Sequence, residues 1–419
     1  MNRNRLFVAS CIALVTTSMF FSIRGDAADA LANDFQLTKE QLGFIFQPAF
    51  YGFTLSILIG GSLVDLFGMR RLLTISGLFY IFGILAIVLV PFPDGAVASI
   101  FGNPVTVTLW IAMLALGLAQ GLVEGVINPL CSTLYPEDKT HRMNVLHAWW
   151  PGGLIIGGLL AFLITMVMGL GGEGVSAETA TLGWRLKLMT IPVVALAYLV
   201  MIRGQEFPAT ERVAAGVSNR DMFREIMRPS FCFLWICMWL TSASELGPDQ
   251  WVPSLITNLT GGMPGILILV YTAGIMFVLR FFGGPLAHKF SPFGLMTIAA
   301  VLTAVGLYTL GSVSTMLGAF AAATIFGIGK TYFWPVMLGV TSERYPKGGA
   351  LALAVMGGTG VFSSGTVVPI MGRLYDRFGP AATFKYVASL PVVLVVLFGM
   401  FFLHFRRIGG YKPEQISGE

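Results

Sequence analysis

Stretches of about twenty apolar residues recur along the whole chain, and each is long enough to cross a lipid bilayer as a helix. Two polar gaps are long, at residues 169–184 and 203–229, and the second divides the apolar stretches into six plus six. The pattern predicts an all-α membrane protein with twelve transmembrane helices in two pseudo-symmetric six-helix bundles. We place the spans at residues 6–33, 40–64, 72–91, 104–135, 144–169, 185–202, 230–258, 264–287, 293–311, 314–340, 350–373 and 383–404.

The same pattern predicts the domain organisation. We expect a first bundle at 1–202, a cytoplasmic linker at 203–229, a second bundle at 230–405 and a cytoplasmic tail at 406–419. Of the 419 residues, 55% are hydrophobic and only 11% are charged, against about 25% charged in soluble domains. Twelve spans leave little chain for a soluble catalytic domain, so we expect a protein that is not an enzyme.

The N-terminal segment allows an alternative interpretation as a signal peptide. Arg3 and Arg5 precede the apolar run at 6–23, and residues 26–30 loosely resemble a cleavage site. Arg24 fits a cleavage region poorly, and the twelve-helix arrangement needs this segment as its first helix. We therefore expect it to be retained as a span.

Charge distribution predicts the orientation. Most of the 26 lysines and arginines lie in segments on the side of the N-terminus, and such segments face the cytoplasm. We expect a multi-pass protein of the plasma (cell inner) membrane with both termini cytoplasmic. The net charge of +5 and the pI near 9.0 then reflect topology rather than nucleic-acid binding.

The two halves carry short matching motifs. Residues 61–65 (GSLVD) are echoed by 284–288 (GPLAH), and at the same offset Asp26 falls on Asp249. Residues 124–129 (EGVINP) align with 330–335 (KTYFWP). A parallel repeat of two bundles predicts a binding site between the halves, near the middle of the bilayer.

The loop between the second and third spans carries a motif that resembles the signature of the major facilitator superfamily. It consists of Gly61, Asp65, Gly68, Arg70 and Arg71 at the spacing GxxxDxxGxRR. A basic inner loop that only follows the positive-inside rule is the alternative interpretation. The resemblance covers essentially the whole chain, and it implies the major facilitator fold and a gating role for these five residues.

A narrower resemblance, to the fucose–proton symporter branch of that superfamily, runs through residues 123–153. It rests on Glu124, Asn128-Pro129, the patch RMNVL at 142–146 and the run HAWWPGG at 147–153. The resemblance implies a sugar as substrate, a proton as coupling ion, Glu124 as the proton-linked acid, and Asp26 near the branch's acid in the first helix. Three positions depart from the branch: His147, Trp150 and Lys330.

Ionisable side chains inside membrane spans are costly and usually functional. Glu124 and Lys330 occupy equivalent positions of the repeat, about half-way through their helices. We expect them to face each other across the cavity between the halves, with a static salt bridge as the alternative. If the Lys330 ammonium keeps Glu124 ionised, Glu124 carries no proton at neutral pH, and Lys330 would instead hold an acidic substrate.

Further charges are expected to line the cavity or its mouth. Glu245 and Asp249 share a face if helical, and Pro248 between them should break the helix and free carbonyl groups. Arg24 and Asp26 point to different sides of the first helix and are each candidates. We assign Arg280, near the inner end of the eighth span, to the cytoplasmic gate.

Aromatic and polar residues next to these charges complete the candidate site. Flat aromatic faces suit a sugar ring, although tryptophan is also common at membrane interfaces and in helix packing. His147 is either a proton participant or a hydrogen-bonded packing residue. The substrate-binding candidates are Arg24, Asp26, Asn128, His147, Trp149, Trp150, Glu245, Asp249, Trp251, Lys330 and Trp334, and the proton-coupling candidates are Glu124 and Asp26.

The leading hypothesis is a secondary transporter of a small polar solute, namely proton-coupled sugar symport by alternating access. An organic-anion transporter or exchanger that uses Lys330 and Arg24 is the alternative, and a non-transporting membrane sensor is the alternative of another class. Besides solute, protons and membrane lipid we expect no partner: no nucleic acid, no ATP, no cofactor and no metal. We expect a monomer, with the four cysteines as inert packing residues.

Overall fold

The computed structural model describes residues 1–135, 139–170, 172, 174–208, 219–262, 264–280, 286, 289–412 and 414. Nine stretches of this described chain are long and apolar enough to cross a membrane, and one of them, Leu351–Arg407, contains two consecutive helices. The twelve helices are α1 (Arg3–Asp26), α2 (Lys39–Phe67), α3 (Met69–Leu89), α4 (Pro104–Leu134), α5 (Lys139–Val167), α6 (Ala177–Ile202), α7 (Pro229–Leu259), α8 (Ile266–Arg280), α9 (Pro292–Leu310), α10 (Met316–Lys330, continued by Phe333–Arg344), α11 (Gly349–Val387, interrupted at Gly379) and α12 (Ser389–Arg407). Short helices at Ala28–Asp34 and Asn219–Ile226 lie between these helices.

The ends of α2 follow from local chemistry. Thr38 accepts a hydrogen bond from the Gln41 amide, and the Gln41 side chain accepts one from the Thr38 amide, which is a capping box. Gly68 ends α2 and precedes α3 with φ +80 and ψ 147. Only glycine adopts a positive φ readily, so this residue permits the tight turn between the two helices.

Small residues bring α2 and α4 into close contact in the first half. A Cβ added at Gly117 would lie 2.1 Å from the carbonyl oxygen of Ala49, and one at Gly121 would lie 2.0 Å from the Ser56 hydroxyl. No side chain fits at either position. The glycines therefore set the distance between two helices that line the space between the halves.

Within the described residues, the two halves meet mainly along three helix pairs: α2 packs on α11, α5 on α8, and α1 on α7. We call the end of the bundle where α1 begins and α12 ends the termini end, and the other the far end. Among the described residues, the hydrogen bonds that join α1, the short helix Ala28–Asp34 and α2 to α7 and α11 run from the far end to the middle. They join Arg24, Asp29, Lys39, Glu40, Gln47, Tyr51 and Thr54 to Gln250, Ser254, Asn258, Gly358, Gly365, Thr366, Arg373 and Asp376. The halves are thus closed against each other at the far end.

A helix break lies in α10 rather than in α7. The helix α7 continues through Pro248 and Pro253, so the predicted break at Pro248 is wrong. In α10 the two parts are separated by Thr331 and Tyr332. Pro335 has no amide hydrogen to donate to the preceding turn, which accounts for the interruption at this point.

Candidate functional site

A cavity lies between the two halves and is lined by side chains from both of them. The first half contributes the side chains of Phe21, Phe50, Phe53, Gln120, Glu124, His147 and Trp150. The second half contributes those of Glu245, Leu246, Arg280, Trp334 and Val361. Five of these twelve side chains are phenylalanine or tryptophan, and five are polar or charged and come from four different helices.

Arg280 is the cation of this cavity, and Glu245 is its acidic neighbour. The two side chains interact electrostatically, and Arg280 also interacts with His147 across the junction of the halves. Arg280 Nε and Glu245 Oε2 are both buried and make no hydrogen bond within the described part of the chain. A buried polar atom without a partner is costly, so both atoms are available to a ligand.

Arg280 lines the cavity from the last turn of α8, and the gating role expected for it stays a prediction. Arg280 lies 14 residues after Ile266, where α8 begins at the far end. At 1.5 Å per residue this is about 21 Å of helix, well inside the membrane. The guanidinium therefore reaches the cavity instead of the loop.

His147 is held by Asn128, a residue of the neighbouring helix α4. His147 Nε2 lies 3.0 Å from Asn128 Oδ1. Asn128 is thus a support for a cavity residue. The sequence predicts both residues as substrate-binding candidates. In the structure His147 lines the cavity, whereas Asn128 contacts His147 and is not among the lining residues.

Lys330 does not face Glu124 across the cavity, so the predicted opposed pair is wrong. Lys330 Nζ donates to both carboxylate oxygens of Asp249, at 2.5 and 2.6 Å, and to the Thr272 hydroxyl at 3.3 Å. Both members of the ion pair are fully buried within the second half. Lys330 also closes the first part of α10, where the negative end of the helix dipole favours a cation. Glu124 alone of the predicted pair lines the cavity.

Asp26 forms a comparable ion pair within the first half. Its carboxylate accepts a hydrogen bond of 2.6 Å from Lys187 Nζ of α6, and both side chains are largely buried. The two aspartates that the repeat aligned, Asp26 and Asp249, are therefore each neutralised by a lysine of their own half. Neither contributes to the cavity wall.

Arg24 lies next to the cavity, on its far-end side. Its Nε donates to Gln250 Oε1 at 2.9 Å, and a second donor of the same guanidinium reaches the same oxygen. The guanidinium lies 4.8 to 5.5 Å from the ring centres of four phenylalanines, a favourable cation–π arrangement. These rings are Phe20, Phe21, Phe46 and Phe50, and two of them line the cavity. Arg24 thus separates the cavity from the far end and joins α1 to α7.

The predicted tryptophans divide into two groups. Trp150 and Trp334 line the cavity from opposite halves. Trp251 is buried in the second half, where its indole nitrogen donates to the Val368 carbonyl at 3.0 Å. Trp149 is 41% exposed on the bundle surface. Two of the four candidate tryptophans thus line the cavity, and a role for them in substrate binding stays a prediction.

The signature loop lies at the termini end. Arg70 and Arg71 are exposed in the first turn of α3, directly after Gly68. The side chain of Asp65, and whatever Gly61 contacts, fall outside the described part of the structure. The gating role of these residues stays a prediction.

Several cavity residues were missed from the sequence. Gln120 precedes Glu124 by one helical turn on the same face of α4, and this spacing of two polar residues in an apolar helix was a usable signal. Phe21, Phe50 and Phe53 had no such signal, because 33 phenylalanines are spread along the chain.

A helical bundle with two halves and a central cavity defines a class of membrane transporter, and the sequence comparison gives the family. Residues 6–359 match the profile of the Major Facilitator Superfamily, and the chain belongs to this family. It is therefore a multi-pass membrane protein with the fold that the loop signature predicted.

Two characterised relatives are similar over most of the chain. The 3-(3-hydroxy-phenyl)propionate transporter of Escherichia coli strain K12 is 25% identical over 396 residues, which is 91% of this chain and 89% of that protein. The gentisate transporter of Corynebacterium glutamicum is 24% identical over 369 residues, which is 83% of this chain and 75% of that protein.

Solved structures of transporters have the same fold. A D-xylose–proton symporter superimposes with a TM-score of 0.75 at 15% identity, over 94% of this chain and 96% of its own. The fucose–proton symporter of E. coli superimposes with a TM-score of 0.60 at 16% identity, over 94% of this chain and 99% of its own. At these identities the likeness concerns the fold alone.

Proposed function

We propose that this protein carries a small aromatic carboxylate across the membrane together with a proton, by alternating access between its two halves. The observation that carries the proposal is the buried Arg280 guanidinium, whose Nε has no partner within the described residues and which faces a cavity with aromatic walls. The substrates named for the two characterised relatives are aromatic acids, which supports the same class.

The cavity suits both parts of such a substrate. A guanidinium offers parallel N–H donors that match the two oxygens of a carboxylate. Trp150 and Trp334 offer ring faces and edges against which an aromatic ring can stack. The anion-binding role that the sequence assigned to Lys330 and Arg24 passes to Arg280, because Lys330 is bound by Asp249 and Arg24 by Gln250.

A sugar as substrate is less well supported. The likeness to sugar symporters is one of fold, and a neutral sugar would leave the Arg280 cation without a counter-charge other than Glu245. Aromatic side chains can pack against a sugar or an aromatic acid, so they do not discriminate between the two substrates. The positive charge of Arg280 does, because it favours the acid.

Glu245 is the proposed proton carrier. A substrate carboxylate on Arg280 would compete with Glu245 for the same cation, and two negative charges around one guanidinium favour protonation of one of them. The charged groups near Glu245 are Arg280 of α8, Lys330 of α10 and Asp249 of its own helix. Lys330 and Asp249 neutralise each other, so Arg280 is the partner that substrate binding changes. Glu124, on the opposite wall, is a second candidate, and Asp26 is not, because Lys187 already binds it.

We propose the plasma (cell inner) membrane as the location, with both termini in the cytoplasm. The termini end then faces the cytoplasm, and the closed far end faces outside. The halves 1–202 and 230–405 would move against each other, with 203–229 and 406–419 on the cytoplasmic side. In this orientation the structure is closed to the outside.

Uptake into proteoliposomes tests substrate and coupling together. We expect uptake of 3-(3-hydroxyphenyl)propionate or a related aromatic acid, driven by an inward proton gradient and abolished by an uncoupler. Arg280→Gln should lower uptake at least about a hundredfold, since a charge-assisted pair is lost, whereas Arg406→Gln at the exposed end of α12 serves as the matched control. Xylose or fucose uptake without uptake of aromatic acids would overturn the proposal.

Exchange measurements test the role of Glu245. Glu245→Gln should keep the exchange of labelled for unlabelled substrate but lose accumulation against a gradient, because exchange needs no proton transfer. Unchanged proton-driven accumulation in this variant would exclude Glu245 as the carrier.

A further inference from the structure

The neutral imidazole of His147 offers one hydrogen-bond acceptor to the cavity. Asn128 Oδ1 lies 3.0 Å from His147 Nε2, and a carbonyl oxygen only accepts hydrogen bonds. With the Asn128 amide in this orientation, Nε2 carries the hydrogen and donates it. In the neutral ring the other nitrogen, Nδ1, is then an acceptor with a free lone pair.

The surroundings of Nδ1 indicate where this lone pair points. Within the described part of the chain, Nδ1 makes no hydrogen bond, and it is not among the buried atoms that lack a partner. An atom that is neither bonded nor buried is in contact with free space, and the ring lines the cavity. Nδ1 is thus open to whatever occupies that cavity.

We infer that His147 selects aromatic acids that carry a hydroxyl group on the ring, by accepting a hydrogen bond from that hydroxyl at Nδ1. This inference rests on the proposed function, which places the carboxylate on Arg280. His147 and Arg280 line the same cavity, so one small ligand can contact both residues. Asn128 acts as a positioning residue, because it fixes both the ring orientation and the tautomer.

A fixed acceptor discriminates more strongly than an apolar wall. A ligand without the hydroxyl displaces water from Nδ1 and forms no hydrogen bond in its place. Sites that hydrogen-bond a substrate hydroxyl therefore reject the analogue that lacks it. An apolar pocket of the same shape accepts both ligands with similar affinity. We therefore expect the hydroxylated ligand to bind at least about tenfold more tightly than its parent acid.

The test uses three matched ligands: 3-phenylpropionate, its 3-hydroxy derivative and its 3-methoxy derivative. The methoxy group has nearly the same position but donates no hydrogen bond. Dissociation constants for the purified full-length protein should favour the hydroxy acid at least about tenfold over both others. Equal affinity of the three ligands for the unaltered protein would overturn the inference.

Two variants make the test specific. In His147→Phe the parent acid should still bind, while the preference for the hydroxy acid falls to within about twofold. Asn128→Leu should weaken the preference with the histidine intact, whereas Asn128→Asp, which keeps an acceptor on Nε2, should preserve it. A full preference in His147→Phe or in Asn128→Leu would overturn the inference.

The same experiment separates this inference from the proposed function. If none of the three acids binds the unaltered protein, the proposed function fails. If all bind and depend on Arg280, but the hydroxyl preference does not depend on His147 or Asn128, only the inference about His147 fails.

Discussion

Lys330 Nζ lies 2.5 Å from Asp249 Oδ1, and this ion pair is enclosed within the second half of the protein. Removal of one member leaves an uncompensated charge in an apolar interior, which costs about 3–5 kcal/mol. We expect Lys330→Met and Asp249→Leu each to lower the thermal unfolding temperature of the purified protein strongly. The double variant should be much more stable than either single variant, because no charge remains.

Ligand binding provides the control for this prediction. Since neither residue lines the cavity, the double variant should bind the aromatic acid with nearly unchanged affinity. Loss of ligand binding in a well-folded double variant would place the pair in the substrate site and contradict the assignment.

Asp376 of α11 caps the first turn of α2 across the boundary of the two halves. Its carboxylate accepts hydrogen bonds from the Lys39 and Glu40 amides at 3.0 and 2.8 Å, and Arg373 pairs with Glu40 beside it. Loss of a cap costs about 1 kcal/mol, so Asp376→Ala should shift the population toward opening of the far end about fivefold. Asp376→Asn keeps one acceptor oxygen and should have a smaller effect.

Spin labels on the exposed Leu182 and Leu317, one in each half at the far end, measure this opening. The exposed native Cys232 must first be replaced by serine. We expect longer distances in Asp376→Ala than in the parent. An identical distance distribution would mean that the cap does not hold the far end closed.

Gly117 and Gly125 offer a matched pair of substitutions on α4. A Cβ at Gly117 would overlap the Ala49 carbonyl at 2.1 Å, whereas one at Gly125 meets only the Gly60 Cα at 3.6 Å. Gly117→Ala should therefore destabilise the protein by about 1–3 kcal/mol or more, and Gly125→Ala should be tolerated. Thermal unfolding and the yield of monodisperse protein measure both. Equal tolerance of the two changes would contradict the packing of α2 on α4.

Glu414 holds the C-terminal tail against the second half. It accepts hydrogen bonds from Arg228 at 2.9 and 3.2 Å and pairs with Arg344 at 3.0 Å. The bond from Arg228 lowers the pKa of Glu414 below its ordinary value. Because the pKa of Glu414 is lower in the folded protein, its contribution to stability is complete above the pKa of the unfolded chain, about 4.3. The contribution is lost as the pH falls through the lower pKa of the folded protein.

A spin label at Lys412 measures the docking of the tail. The label should be immobile at pH 7 and pH 5 and become mobile only below about pH 4. In Glu414→Gln it should be more mobile throughout. The pairs are partly exposed, so the stabilisation is at most about 1 kcal/mol, and a label whose mobility is independent of pH in the parent would contradict this role.

Hydrophobic spacing was sufficient for the helices. The predicted spans at 104–135 and 293–311 agree with α4 and α9 to within a residue at each end. Bilayer thickness and helix rise fix the length of a span, so this part of the fold is encoded locally. The division into a linker and a tail stays a prediction, since residues 209–218, 413 and 415–419 lie outside the described structure.

The site was less predictable because depth in the membrane does not fix the direction of a side chain. Glu124 and Lys330 were placed at equivalent depths, yet one faces the cavity and the other turns inward to Asp249. The turn at Thr331 and Tyr332 interrupts α10 directly after Lys330. The spacing of residues in the sequence does not predict how the helix rotates at this interruption. For Arg280 the predicted start of the span at residue 264 agrees with the start of α8 at Ile266, but the spacing did not indicate that its side chain lines the cavity.

The location of the two aspartate–lysine pairs has a consequence for the energy barrier of transport. Asp26 with Lys187, and Asp249 with Lys330, each belong to one half, so a rocking motion carries every such pair along intact. The proposed exchange between outward and inward access then separates neither of these two lysines from its carboxylate. The motion must instead break the hydrogen bonds between Arg24 and Gln250 and the other polar contacts at the far end. The donors and acceptors of these contacts can bind water once the two halves separate there.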